Sequence, residues 1–117
     1  MSIQRRERTT RDKAGLYEVA MPLLSAMYQE FAVLSKKKPD APVSEGKIGV
    51  VNRLLERCRC VLKSEVSLQF LDLLDEDEVP QNSDVTLMLS QYVAAMEQFK
   101  QAHYGWDGDE HRWFTED

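Results

Sequence analysis

Apolar residues recur every three or four positions along most of this chain, and that spacing is the period of a helix with one face on a core. No stretch shows sustained alternation of apolar and polar residues with β-branched enrichment, so we predict no sheet. Turn-forming residues fall between the periodic segments. The sequence therefore predicts an all-α fold, a small antiparallel four-helix bundle with three long helices and one short helix.

The first two predicted helices cover about 11–36 and 45–63, with Thr9-Thr10 and Ser44 as their N-terminal caps. Pro22 should kink the first helix without ending it, because it lies opposite the apolar stripe. The stripe comprises Leu16, Val19, Ala20, Leu23, Met27, Phe31 and Leu34. The apolar arc of the second helix is about 160° wide, which predicts contact with more than one neighbour. That arc comprises Ile48, Val50, Val51, Leu54, Leu55, Cys58, Val61 and Leu62.

The second half predicts a short helix over about 66–75 and a long one over about 84–104. We expect Ser83 to cap the long helix and Gly105 to end it in a left-handed conformation. Its core-facing stripe is Val85, Met88, Leu89, Tyr92, Ala95, Met96 and Phe99.

The whole chain, residues 1–117, is long enough for one compact domain and too short for two. Residues 1–10 are predicted to be a frayed basic arm, and residues 105–117 form a C-terminal tail. We expect the aromatic residues of this tail to fold back onto the bundle, with anchoring of a partner as the alternative. These residues are Trp106, Trp113 and Phe114.

The cellular location of the protein is inferred from features that the sequence lacks. No window approaches the ~20 apolar residues of a membrane span, and the first residues do not read as a signal peptide. The two cysteines, Cys58 and Cys60, are too close along the chain to form a disulfide framework. We therefore expect a soluble cytoplasmic protein that neither enters a membrane nor carries a cofactor or metal ion.

Charge divides the chain into two unlike halves. Residues 1–64 have a balance of +6 and residues 65–117 a balance of −11, giving the net charge of −5. One explanation is that the halves pack together and neutralise each other within the fold. The other is that a polar surface meets another copy or another protein.

Three surfaces are candidates for protein contact. The outer face of the last helix has few charges and includes Leu87, Gln91 and Gln98. The acidic segment comprises Asp72, Asp75, Glu76, Asp77 and Glu78, whose carboxylates oppose the helix dipole. The aromatic tail is the third. Changing Leu87 and Gln91 to lysine is expected to weaken assembly without loss of helicity.

Two other function classes remain as alternatives. A nucleic-acid-binding accessory protein would use the basic residues Arg5, Arg6, Arg8, Arg11, Lys36, Lys37 and Lys38. A thiol- or metal-dependent enzyme would need Cys60, or the acidic loop 107–111, to converge with His103. We expect His103 itself to bond a backbone carbonyl. The sequence favours a non-enzymatic protein-interaction module, acting as an oligomer or as a small subunit of a larger complex, with nucleic acid as the less favoured partner.

Overall fold

The computed structural model describes residues 7–116 and is mostly helical, as predicted. Three α-helices form the body: α1 (Arg11–Lys37), α2 (Glu45–Val61) and α3 (Asn82–His103). Two short antiparallel strands follow, β1 (Tyr104–Trp106) and β2 (His111–Trp113). The prediction of an all-α four-helix bundle is therefore wrong in two respects, the number of helices and the presence of a sheet.

The predicted short helix over 66–75 is replaced by a single 3₁₀ helix, Val66–Phe70, and an extended segment. The extended segment lies between α2 and α3 because side chains of both helices bond its backbone. Asn52 on α2 donates to the Leu74 carbonyl and accepts from the Leu74 N–H, both at 2.9 Å. The Tyr92 hydroxyl on α3 donates to the Asp72 carbonyl at 2.8 Å. In a helix, the backbone N–H and carbonyl groups of this segment would bond to one another. They would then not be free to bond the side chains of Asn52 and Tyr92.

The end of α3 also differs from expectation. Backbone at Tyr104 is already extended, and Gly105 pairs with Arg112 in the sheet and does not form a left-handed cap. The left-handed glycine lies in the hairpin turn, at Gly108, with a φ of 109°. Each strand has three residues, which is too short for alternation to show in the sequence.

The starts of α1 and α2 agree closely with the predicted caps. Thr10 Oγ1 accepts from the Lys13 N–H at 3.2 Å, and Ser44 Oγ accepts from the Lys47 N–H at 3.3 Å. The predicted cap of the last helix is wrong: α3 begins at Asn82, so Ser83 lies within its first turn. Gln81 is the N-terminal cap, and its N–H donates to a carboxylate oxygen of Asp84 at 2.8 Å. Helix α1 continues through Pro22.

The core lies between the three helices, and α1 packs against both α2 and α3. Its largest fully buried side chains are Tyr92, Phe99, Leu24, Leu55, Leu62, Leu89 and Met96. Leu71 and Leu74 of the extended segment join this core. Their burial explains the apolar spacing of residues 66–75, which is also typical of a helix.

Residues 7–10, predicted to be part of a frayed arm, are instead bonded to the C-terminal segment. The Thr9 N–H donates to the Phe114 carbonyl, and the Glu116 N–H donates to the Thr9 carbonyl, both at 2.9 Å. His103 Nδ1 donates to the Glu7 carbonyl at 2.6 Å, which confirms the expected bond from His103 to the backbone. The first six residues of the predicted arm lie outside the described part of the chain.

Candidate protein-binding surface

The predicted apolar stripe of α1 is wider than the surface that α2 and α3 cover. Ala20 and Phe31 are buried, as core residues should be. Val19 and Leu23, from the same stripe, are 65% and 56% exposed. This side of α1 therefore presents apolar surface to solvent beside the residues that form the core. Exposed apolar surface of this kind is typical of a site that binds another molecule.

Helix α2 continues the exposed surface across a shallow groove. Val50 is 49% exposed, and Leu54 is only partly buried. The groove between α1 and α2 has a volume of about 510 Å³. We call this feature the α1–α2 groove. Its walls are formed by Leu23, Ala26, Met27, Glu30, Val50, Arg53, Leu54 and Arg57.

The charges of the α1–α2 groove stand on opposite walls. Glu30 lies on α1, whereas Arg53 and Arg57 lie on α2. Within residues 7–116 neither guanidinium has a hydrogen bond or an ion pair. Arginine beside exposed apolar side chains is a composition enriched at protein–protein interfaces.

Sequence reasoning missed this groove because periodicity alone assigned Val19, Leu23 and Val50 to the core. One signal for it was present. The apolar arc of α2 is too wide for a single neighbour, and the prediction of more than one contact followed from that width. In the structure, part of this arc faces α1 and the core, and its Val50 edge faces solvent.

The predicted outer face of α3 is also at the surface. Leu87 is 62% exposed, and Gln91 and Gln98 are exposed with it. Gln98 further lines a second cavity of about 420 Å³ with Ala95 and Val66. The lining of that cavity is mixed, with the exposed 3₁₀ helix on one side.

The acidic segment is fixed through its backbone and leaves its side chains in solvent. Asp72, Asp75, Glu76, Asp77 and Glu78 are all exposed. The last three form a short 3₁₀ helix, which ends at Val79 with a φ of 50°. Left-handed backbone is strained for a β-branched residue.

The aromatic tail does not form one surface. The Trp113 ring packs against Tyr17, with ring centroids 5.1 Å apart, and against Phe99 at 5.8 Å. Phe114 is partly buried. Trp106 alone among these predicted tail residues is largely exposed, at 59%. A partner that binds the tail would therefore find only Trp106 largely exposed, because Trp113 and Phe114 are partly buried.

The structure separates the basic residues of the nucleic-acid alternative. Arg5 and Arg6 lie outside the described residues, and Arg8 donates to the Thr115 carbonyl at 3.1 Å. Arg11 begins α1, while Lys36, Lys37 and Lys38 stand at its opposite end. A helix rises 1.5 Å per residue, so these two groups are about 37 Å apart along the axis.

Two contacts between basic and acidic side chains occur within residues 65–117 of the described part of the chain. His103 Nε2 lies 3.2 Å from a carboxylate oxygen of Glu65, and the Arg112 guanidinium lies 3.5 Å from that of Asp107. Neither contact joins the basic half of the chain to the acidic half.

The groups named for the enzyme alternative have separate surroundings. Cys58 is buried, and that burial raises the pKa of its thiol to about 12, whereas Cys60 is exposed. His103 contacts Glu7 and Glu65.

The acidic loop 107–111 is organised by its own backbone. N–H groups of Glu110 and Asp109 donate to Asp107 and, with Arg112 nearby, lower the pKa of that carboxyl. Among residues 7–116 no group of three or more His, Cys, Asp or Glu side chains is arranged to hold a metal ion.

None of the helices described between residues 7 and 116 has the length and apolar content that crossing a membrane requires. Comparison of the chain with protein-family models, with curated proteins and with solved structures gave no match.

Proposed function

We propose that this chain is a non-enzymatic protein-interaction module whose main binding surface is the α1–α2 groove. The observation that carries the proposal is the exposure of Leu23 and Val50 beside Arg53 and Arg57, two arginines that have no hydrogen bond or ion pair within residues 7–116. A contact that covers these side chains removes apolar area from water, at roughly 25 cal/mol per Å². It also supplies the guanidinium groups with acceptors.

A cytoplasmic location belongs to the same proposal. Both cysteines are free thiols, and Cys60 is exposed. Such a thiol persists most readily in a reducing compartment.

The proposal is tested by photo-cross-linking in cells that naturally make the chain. One version carries a photo-cross-linking amino acid at position 23, in the groove. The matched comparison carries it at position 87, because Leu87 is about as exposed as Leu23. Leu87 lies on the α3 face that the sequence pattern favoured, and this proposal replaces that face with the α1–α2 groove. We expect a discrete adduct at position 23 that is lost when Arg53 and Arg57 are changed to glutamate. Absence of any adduct specific to position 23 would refute the proposed surface.

A further inference from the structure

The charges of the α1–α2 groove restrict what can occupy it. Glu30 on the α1 wall repels a uniformly acidic helix, and Arg53 and Arg57 on the α2 wall repel a basic one. An occupant must therefore present both signs, with acid against the arginines and base against Glu30. A second α1–α2 groove is such a surface, because each of its walls matches the opposite wall of the first.

The levels of these charges along the helices also match. Helices α1 and α2 are joined by residues 38–44 and pack side by side, so they run antiparallel. Glu30 lies about two turns before Lys37, the end of α1, and Arg53 about two turns after Glu45, the start of α2. Glu30 and Arg53 therefore stand at the same level on opposite walls.

Two-fold symmetry turns this arrangement into paired contacts. A contact of this kind uses the same patch on both copies, so every pairing occurs twice. With the axis parallel to the helices, Glu30 of each copy faces Arg53 of the other. With the axis perpendicular to the helices, α1 lies on α1, and Glu30 comes to the level of Leu23 and Arg57 of the other copy. By the same counting of levels, Leu23 and Val50 lie towards opposite ends of the groove, and both arrangements cover them.

We infer that a second copy of this chain occupies the α1–α2 groove and forms a two-fold symmetric dimer. This inference rests on the proposed function, since it names the partner for the same surface. Ala26, a small side chain within the groove, allows the helices of the two copies to approach closely.

The size of the surface places the contact at the weak end of specific protein interfaces. The α1 stripe from Leu16 to Leu34 is about 27 Å long. A contact two helices wide then covers on the order of 500 Å² on each copy, which is near the lower limit for specific interfaces. We expect a reversible dimer with a Kd on the order of 10 µM.

Sedimentation equilibrium of the purified chain from about 1 to about 500 µM tests the inference. The mass should rise from the monomer value of 13.5 kDa towards twice that value. Leu23→Asp should raise Kd at least about tenfold, whereas Leu87→Asp, at a matched exposed leucine, should leave it unchanged. Monomer mass at every concentration would overturn the inference, as would an effect of Leu87→Asp without one of Leu23→Asp.

Charge exchange tests the symmetry itself. A Glu30→Arg chain and an Arg53→Glu/Arg57→Glu chain should each dimerise at least about tenfold more weakly than the wild type, because like charges then face each other. An equimolar mixture should associate more tightly than either chain alone, since every facing pair is then of opposite sign. Circular dichroism of each chain shows whether its helices are retained. Folded chains whose mixture stays as weak as the separate chains would contradict the inference.

The two proposals fail in distinguishable ways. A monomeric purified chain with a groove-specific adduct to another protein removes the second copy and retains the binding function. A dimer that is insensitive to Leu23→Asp and the charge changes places self-association elsewhere. A monomeric chain without any groove-specific adduct removes both proposals.

Discussion

Asn52 and Leu74 bond each other reciprocally: the amide of Asn52 donates to the Leu74 carbonyl and accepts from the Leu74 N–H, at 2.9 Å in both cases. The side chain thus pairs with the extended segment in the manner of a neighbouring strand. Through this pairing α2 fixes the backbone that leads into the acidic segment. The carboxylates of that segment remain in solvent because only its backbone is held.

Asn52→Ala should lower the free energy of unfolding by about 1–3 kcal/mol, because both polar groups of Leu74 then lose their partner in a half-buried site. Urea denaturation followed by circular dichroism measures the change. Gln91→Ala is the control, since Gln91 is an exposed amide, and it should alter stability by less than about 0.5 kcal/mol. Equal effects of the two substitutions would show that the reciprocal bonds contribute little.

Val79→Gly should raise the free energy of unfolding by about 1 kcal/mol. Val79 has a φ of 50°, and glycine adopts left-handed backbone without the clash that a β-branched side chain makes. The comparison is Val66→Gly, at an exposed valine with ordinary backbone, which should destabilise slightly. Destabilisation by Val79→Gly in the same urea assay would mean that the strain is smaller than the entropy glycine adds to the unfolded chain.

The two thiols should differ in reactivity by orders of magnitude. With a pKa of about 12, about one in 10,000 Cys58 thiols is ionised near pH 8, and its side chain is buried as well. Iodoacetamide should therefore modify one cysteine in the folded chain and two in urea, as counted by mass spectrometry. The Cys60→Ser chain should show no modification while folded. Rapid modification of Cys58 in the folded chain would contradict its burial.

Stability should fall as pH rises above about 9. Burial raises the pKa of Cys58 from its usual 9.0 to about 12, so the folded chain retains a proton that the unfolded chain loses. Over that window the free energy of unfolding decreases by up to about 1.4 kcal/mol per pH unit for this group. Burial also raises the pKa values of Tyr17 and Tyr92, which extends the decrease above their usual 10.0.

The Cys58→Ala chain isolates the contribution of the thiol. Its stability should be lower throughout, because a buried side chain is shortened. The slope of stability against pH should nevertheless be flatter between about 9 and about 10, before the tyrosines contribute. Identical slopes for the two chains would assign the alkaline loss to other groups.

Local chemistry explains which parts of the fold were predictable. Helix periodicity and the oxygen atoms of Thr10 and Ser44 place the starts of α1 and α2 correctly, because a capping bond spans only three residues. The 66–75 region was mispredicted because its form depends on Asn52 and Tyr92, which are distant in sequence. Apolar spacing marks leucines as buried and does not reveal whether a helix or a bound extended segment buries them.

The binding groove was not predictable for a related reason. The stripe of α1 continues smoothly from the buried Ala20 and Phe31 to the exposed Val19 and Leu23. All four are apolar and share one side of the helix, so the pattern is the same whether α2 covers them or not. Only the packing of α2 against α1 decides which of them face solvent.

The most direct test of the groove as a binding surface is the alkylation rate of a thiol placed within it. Leu23→Cys and Leu87→Cys are each made in the Cys60→Ser chain and labelled both in living host cells and as dilute purified protein. If a partner covers the groove, the thiol at position 23 should react at least about tenfold more slowly in cells than when dilute, relative to the thiol at position 87. Equal ratios at the two positions would show that nothing covers the α1–α2 groove and would refute it as the binding surface.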